Sequence, residues 1–181
     1  HPDWGPLCIG DTGPAGGLIF FDDEDDGNDD YSFRYLEAAP ASTEWSGKVW
    51  GGYGTDINGD NSTVAPELES IGAGASNTAE IVAEFGSTEP YEGKSDYAAK
   101  LAHDLEYNSY TDWFLPSTDE LDLMYQNLYQ EGLGGFAAGF YHSSSEYGSF
   151  NAWYQTFSSG AQIGNTKYNA YRVRAARAFG N

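Results

Sequence analysis

The stretch Tyr110–Tyr125 reads YTDWFLPSTDELDLMY and marks a helix start more clearly than any other part of the chain. Ser117 follows Pro116, and a serine side chain there can accept a hydrogen bond from a free N–H of the first helical turn. Glu120 stands three positions later and completes a capping box. Four apolar residues then recur at helical spacing: Leu121, Met124, Tyr125 and Leu128. We predict a helix that begins after Ser117 and ends near Gly132.

Two further helices are expected before this one. Ser76 can cap a helix that runs to about Phe85, with Gly86 as its stop signal. Ser95 can cap another that continues through Glu106.

Strand patterns lie on both sides of this helical part. Leu18–Phe21 and Tyr31–Ala38 are predicted to form a hairpin, Phe150–Phe157 alternates, and Ala170–Ala178 is predicted as one final strand. Trp45–Asn61 has no periodicity and is interpreted as irregular. The order predicts an α+β fold with paired terminal strands, two to three helices, a long loop-rich middle and C-terminal hairpins.

Aromatic and basic residues suggest how the core is built. Trp113 is predicted to pack in the core before the third helix, and Trp153 is predicted to do so in the final hairpin. By strand periodicity, Arg172 and Arg174 share a face, while Arg177 lies on the other unless a bulge intervenes. These arginines can form internal ion pairs with acidic residues, or they can bind a ligand carboxylate; both interpretations are kept.

Length and charge limit the classes of function. With 181 residues the chain is expected to be one domain, 1–181, in which residues 1–9 are a linker or fragment end. Its formal charge of −20, from 28 acids and 8 bases, argues against nucleic acids and anionic membranes as partners. No apolar run is long enough to insert in a membrane. Because the chain begins at His1, we expect a segment of a longer one.

Metal binding is suggested by two acidic loops. The sole cysteine, Cys8, allows no internal disulfide, and bound metal is a common substitute. Calcium prefers six to eight oxygen ligands, which Asp- and Asn-rich loops supply. The alternative is a solvated acidic surface. The predicted calcium ligands are Asp22, Asp23, Asp25, Asp26, Asp29 and Asp30 in the first loop, and Asp56, Asn58 and Asp60 in the second.

Catalytic patterns are weak. The string Ser143–Glu146 contains three serines, but it lacks the GxSxG turn of a nucleophilic serine and has no matching histidine pattern. A carbohydrate-active hydrolase needs two carboxylates at a fixed separation, and with so many acids the sequence selects no particular pair. A hydrolase of this kind is the alternative from another class.

Six strings in collinear order resemble one known family. They are GPAGGLIFF, YLEAAP, IGAGASNTAEIV, YTDWFLPSTDELDLMY, SSSEYGSFNAWYQTFSSG and YRVRAARAF. Together they resemble the Lcl C-terminal-type domains of bacterial surface adhesins, over about Gly10 to Phe179. The resemblance implies a C-type-lectin-like fold and an extracellular, non-catalytic recognition domain of a larger adhesin. Such a domain would bind a peptide or glycan on a host or partner cell, in a calcium-dependent way.

In such folds the C-terminal third carries the ligand-facing side chains. Tyrosines interleaved with Ser, Asn and Gln are a composition that recognition surfaces favour. The predicted ligand-binding residues are Tyr141, His142, Ser144, Glu146, Tyr147, Tyr154, Gln155, Gln162, Asn165, Tyr168 and Arg172. A variable ligand-binding protein of a diversity-generating retroelement, which shares this fold, is the alternative.

The chain departs from the family pattern at three places. His142 stands where the family usually has Trp, and Ala175–Ala176 replaces its Pro-containing ending. The acidic loop Asp22–Asp30 is longer than the family's short turn. The first two departures bear on the ligand, and the third predicts a feature of this subgroup.

Overall fold

The computed structural model describes residues 6–26, 30–57 and 66–180. These residues form two sheets and four helices, which confirms the α+β prediction. The strands are β1 (Leu18–Asp22), β2 (Tyr35–Ala38), β3 (Trp45–Val49), β4 (Phe140–Glu146), β5 (Asn151–Thr156), β6 (Gln162–Thr166), β7 (Ala170–Val173) and β8 (Ala176–Phe179), and the helices are α1 (Pro66–Glu69), α2 (Ala73–Phe85), α3 (Ala98–His103) and α4 (Thr118–Met124). Within this described part, no helix combines the length and apolar character needed to cross a membrane.

The small sheet joins the two ends of the described chain in the order β1-β2-β8. β1 and β2 form the predicted hairpin, with Leu18 opposite Ala38. The first and last strands do not pair with each other, contrary to the prediction, because β2 lies between them and forms the antiparallel ladder to β8.

The large sheet has the order β3-β7-β4-β5-β6. β3 lies in a segment that was expected to be irregular. Its register against β7 shifts between Trp45 and Lys48, and Gly47 has a positive φ of 68°. The bulge interrupts the alternation of inward- and outward-facing residues, so a search for a two-residue repeat of apolar residues does not detect this strand.

The predicted final strand is two strands, one in each sheet. The chain leaves the large sheet after Val173 and enters the small sheet at Ala176. Between them, Arg174 is buried and its Nη2 donates to Glu44 Oε2 at 2.6 Å, while Nη1 donates to the carbonyl of Gly134 at 2.8 Å. Arg172 Nη1 also donates to Glu44, at 2.8 Å.

Arg177 lies on the small sheet, apart from the other two arginines. It donates to Glu37 Oε1 at 2.9 Å and to Asp112 Oδ1 at 2.6 Å. Internal ion pairing therefore accounts for all three arginines of the C-terminal strands.

The capping box of α4 is present as predicted. Ser117 Oγ accepts from the Glu120 N–H, and Glu120 Oε2 accepts from the Ser117 N–H at 2.8 Å. Glu120 Oε1 also accepts from the Gly72 N–H at 2.8 Å, immediately before α2. One buried carboxylate thus connects the starts of α4 and α2. After Met124 the chain continues as a π-helical turn, Tyr125–Tyr129.

Two helix starts differ from the prediction. α2 begins at Ala73, since Gly72 holds the start and Ser76 Oγ donates back to the Ala73 carbonyl inside the helix. Its end at Gly86 is as predicted. α3 follows Tyr97, a fully buried residue, and no side-chain cap is formed there.

The core has two clusters of buried apolar residues. One contains Trp50 and Trp113, and the other contains Phe20, Leu121 and Tyr141. The core prediction for Trp113 is confirmed. Trp153, however, is only half-buried, and its Nε1 donates to Glu69 of α1 at 3.1 Å.

Candidate functional site

Much of the predicted ligand set lies in the interior. Six of its members are buried: Tyr141, His142, Ser144, Glu146, Tyr154 and Gln155. α2 and α4 pack on β4, so that strand is buried along most of its length. A ligand at the surface does not reach these side chains in this structure.

The buried polar residues of β4 have structural partners instead. Tyr141 OH donates to Glu44 at 2.9 Å, and Asn77 Nδ2 donates to Ser144 Oγ at 3.2 Å. The His142 ring lies 2.7 Å from the Lys48 carbonyl. Burial lowers the pKa of His142 to about 4, although hydrogen bonds with backbone carbonyls act to raise it.

Glu146 forms a buried ion pair with Lys167. Lys167 Nζ also donates to the Thr55 carbonyl at 2.7 Å and lies over the Trp50 ring, 4.7 Å from its centre. Burial lowers the pKa of Lys167, while Glu146 acts to raise it. The pair connects β4, the β6–β7 turn and the loop after β3.

Four aromatic side chains from four loops meet at one surface, which we call the aromatic platform: Tyr53, Tyr91, Phe150 and Tyr168. The Tyr53 ring lies at the centre, with ring-centre distances of 5.0, 5.1 and 5.0 Å to Tyr91, Phe150 and Tyr168. The three outer residues are 52%, 53% and 46% exposed. Aromatic residues this exposed and this close together offer a large, rigid contact area to a ligand.

Buried hydrogen bonds hold the platform loops. Glu89 accepts from the N–H groups of Gly52 at 2.7 Å, Tyr91 at 2.9 Å and Glu92 at 2.6 Å. Burial acts to raise the pKa of Glu89. The hydrogen bonds from these three N–H groups and from the Lys94 N–H outweigh burial, so the pKa of Glu89 is lowered. The Glu89 carboxylate therefore connects the loop that carries Tyr53 to the loop that carries Tyr91.

The remaining platform loops are fixed by backbone contacts. The Gly54 N–H donates to the Ser149 carbonyl at 2.9 Å, next to Phe150. The Trp50 N–H donates to the Lys167 carbonyl at 3.1 Å, next to Tyr168. The platform thus rests on four connected loops at one end of the large sheet.

No protein-family model matches the chain, and no curated protein matches it. Among solved structures, the chain is similar to a fimbrial protein from Bacteroides ovatus ATCC 8483, with a TM-score of 0.57 at 14% identity. The two share a fold. The match covers 98% of this chain but only 46% of the fimbrial protein, so the chain spans about half of that protein's length.

Of the predicted ligand residues, Tyr168 is the one that belongs to the platform. The prediction did not include the other three platform residues, Tyr53, Tyr91 and Phe150. Two of them, Tyr53 and Tyr91, lie outside the C-terminal third on which the prediction was based. Their one sequence signal is the position of each ring beside turn residues, as in GGYG and EPYEG. That signal does not show that distant turns meet.

Other predicted residues are partly exposed but make contacts of their own. Gln162 Nε2 donates to the Thr118 carbonyl at 2.8 Å, and Asn165 Nδ2 donates to Tyr171 OH at 3.3 Å. The half-buried Tyr147 packs edge-on against Trp153, and Arg172 is paired with Glu44 as above.

The predicted calcium ligands are only partly described. Asp22 forms an ion pair with Arg34 at 3.1 Å, and the buried Asp23 accepts from the Tyr31 N–H at 3.0 Å. Asp30 is exposed and Asp56 half-buried. Asp29, Asn58 and Asp60, and the side chains of Asp25 and Asp26, lie outside the described residues. Among the residues that are described, no group of three or more His, Cys, Asp or Glu is placed to hold a metal.

A cleft of about 380 Å³ opens beside the first acidic loop. It is lined by Asp22, Asp23 and Asp30 together with apolar residues that include Phe21 and Leu123. Three acidic residues of this loop, Asp22, Asp23 and Asp30, therefore line a space that solvent can enter.

Proposed function

We propose that the chain is a non-catalytic recognition domain of a bacterial surface adhesin, which binds a peptide or glycan through the aromatic platform. The observation that carries this proposal is the convergence of Tyr91, Phe150 and Tyr168 on Tyr53 with their rings half exposed. A surface role is supported by the fold shared with a protein described as fimbrial.

The platform suits ligands with flat apolar faces. A pyranose ring, a proline or an aromatic side chain can each stack on an exposed tyrosine or phenylalanine. The net charge of −20 disfavours anionic polymers. We infer a neutral or basic ligand.

We also propose that the chain is a member of the Lcl C-terminal-type group with a C-type-lectin-like fold. The support is the collinear order of the six motifs and the α+β arrangement with both chain ends in one sheet. A variable retroelement protein would share this scaffold. A second copy of the chain that differs only within about 141–171 would favour that alternative.

A non-catalytic role is supported by the burial of the serines of β4. Ser143 Oγ donates to the Trp153 carbonyl at 2.8 Å, and Ser145 Oγ donates to the Leu68 carbonyl at 2.7 Å. Both hydroxyls are used in packing the sheet, and neither is placed to attack a substrate.

Calcium dependence is part of the proposal. The acidic loops would supply hard oxygen ligands, and a bound ion would offset the repulsion of seven carboxylates among the nine positions Asp22–Asp30. The first loop lies next to the small sheet, so calcium there would stabilise the fold at a distance from the platform. The second loop follows Tyr53 closely in sequence and could rigidify the platform itself.

The test is a glycan array and a peptide array, each probed with calcium and with chelator. Phe150→Ala and Tyr168→Ala are expected to reduce the array signal at least tenfold. Leu133→Ala, which removes an exposed apolar side chain away from the platform, is the matched control. Wild-type signal in both platform variants would refute the platform as the ligand site, and signal independent of calcium would refute the metal part alone.

A further inference from the structure

The outer strands of the two sheets differ in how they are protected. β1 has a register shift after Ile19, β3 has one beside Lys48, and β8 is bridged on its outer side to Phe114. β6 pairs with β5 over its 5 residues without any shift. In the described part of the chain, no strand lies beyond it. Natural edge strands are usually blunted by bulges, charges, prolines or coverage, and β6 has no bulge, no charged residue and no proline.

The backbone groups on the outer side of β6 differ along the strand, because the Thr166 N–H donates to Asn165 Oδ1 at 2.8 Å and its carbonyl accepts from the Asn169 N–H at 3.0 Å. The Thr156 N–H donates to the Ala161 carbonyl and the Lys167 N–H to the Phe150 carbonyl, so these bonds flank the β5–β6 ladder. Because inward and outward positions alternate in an antiparallel pair, the backbone groups of Gln162 and Gly164 face away from β5. The Tyr147 ring packs where a Gly164 side chain would stand, so one face of this glycine is covered while its backbone groups point away from β5.

The outer face of the sheet at β6, which carries Ile163, is uncharged, which is unusual for this chain, whereas on the opposite face Gln162 contacts Thr118 beside the exposed Asp119. Between Glu131 and Lys167 the one charged residue is Glu146, and its carboxylate is buried against Lys167. On the outer face of the sheet, Phe140 and Ile163 are 48% and 43% exposed. An apolar, uncharged face on a protein of charge −20 is a place where a partner can approach without meeting carboxylates.

We propose that β6 pairs antiparallel with β6 of a second copy of this chain, which forms a two-fold symmetric dimer. Antiparallel pairing of two identical edges satisfies two-fold symmetry, and each copy brings the same uncharged face. Asp122 of α4 lies on the opposite face of the sheet, where it accepts a hydrogen bond from Gln155. A basic partner would be drawn instead to the acidic surfaces elsewhere, because this face offers it no accessible carboxylate.

The dimer has a consequence for binding that does not depend on which ligand the platform takes. Tyr168 lies in the turn directly after β6. Pairing through β6 would therefore carry two platforms on one assembly, and a multivalent surface would be bound with higher avidity than either platform provides alone. The dimer itself does not rest on the proposed function.

Sedimentation velocity of the full chain tests the proposal, from low micromolar to several hundred micromolar protein. The mean mass is expected to rise from 19.7 kDa toward twice that value. Higher salt should strengthen association, because it screens repulsion between two copies of charge −20.

Ile163→Lys and Ile163→Glu should both remain monomeric, whereas Ile9→Lys and Ile9→Glu should dimerise like the wild type. Ile9 is the matched control because it is an exposed isoleucine, at 38%, outside the sheet. The two substitutions at Ile163 change the net charge in opposite directions. If both abolish the dimer, the cause is the disrupted contact and not the change in net charge. Circular dichroism verifies that each variant folds.

Hydrogen exchange supplies a second readout. The amides of Gln162 and Gly164 should exchange more slowly at high protein concentration, because their N–H groups would be donated to the second copy. The proposal is overturned by a mass that stays monomeric at every concentration and salt level. A dimer that survives both Ile163 substitutions, or that leaves these two amides unprotected, also overturns it.

Discussion

The Glu89 carboxylate accepts the Gly52 N–H at 2.7 Å and so connects the loop that carries Tyr53 to the turn that carries Tyr91. Gly52 has a positive φ of 64°, and a side chain there would meet the Phe85 ring. The geometry of the platform thus depends on a glycine and on a buried acid.

Replacing Glu89 should disturb the platform from within. Glu89→Ala leaves several turn N–H groups without their acceptor, and we expect a loss of about 1–3 kcal/mol in the free energy of unfolding. Chemical denaturation measures this loss, and the array signal should fall with it. Glu92→Ala removes an exposed neighbouring acid and should leave both quantities near wild type. Equal effects of the two substitutions would contradict the special role of Glu89.

Arg174 should be the arginine that matters most for stability among those that bind Glu44. Arg174→Leu leaves a largely buried Glu44 with only the more exposed Arg172 as a charged partner, beside the Tyr141 hydroxyl, and we expect destabilisation of about 3–5 kcal/mol. Arg172→Leu removes the more exposed partner and should cost less than about 1 kcal/mol. Urea unfolding of the two variants checks the order. A reversed order would show that the buried guanidinium is not the main connection between the sheets.

Two buried groups should give pH dependences of opposite sign. The pKa of His142 is lowered to about 4, so the folded protein binds fewer protons there than the unfolded chain. Its contribution is complete above pH 6.5 and is lost as the pH falls toward 4, which amounts to about 3 kcal/mol. Burial raises the pKa of Glu120 to about 7, although backbone N–H donors act to lower it. Its contribution is complete below pH 4.5 and is lost as the pH rises toward 7.

In the wild type these two slopes should largely cancel between about pH 4.5 and 6.5. Glu120→Gln should expose the His142 slope, with stability falling as the pH falls. His142→Gln should expose the opposite slope. Urea unfolding at several pH values measures both, and the slope with pH is the quantity compared, since either substitution can also change absolute stability. Parallel slopes in the two variants would disprove the assignment.

Calcium should raise the melting temperature of the chain. An ion that binds only the folded state stabilises it by mass action, by about 2.7 kcal/mol at a hundredfold excess over Kd. Differential scanning fluorimetry with calcium and with chelator measures the shift. Asp30→Asn should reduce the shift, while Asp104→Asn, at an exposed acid outside both loops, should not. Identical melting in calcium and chelator would remove the metal from the proposal.

Local features of the chain were predictable because their interactions span only a few residues. The box between Ser117 and Glu120 and the stop at Gly86 depend on neighbours close in sequence, and β1 and β2 are consecutive strands along the chain. The α+β class followed from the order of such segments. The core position of Trp113 followed from its apolar surroundings.

Errors arose where distant partners decide the outcome. The last predicted strand divides because the buried Arg174 is held by Glu44 between the two sheets. The polar residues of β4 were expected to face a ligand, but helices cover that strand and long-range hydrogen bonds satisfy it. Alternation along a strand identifies two faces and does not say whether one of them meets solvent.

Spacing and capping chemistry were enough for the start of α4 and the end of α2, because the free energies that select them act over a few neighbouring residues. The platform and the unprotected edge of β6 needed the folded chain. Tyr53 and Tyr168 are far apart in sequence, and their rings meet because Glu89 and the Lys167–Glu146 pair hold separate loops together. Such contacts form only after long loops close, so no local pattern encodes them.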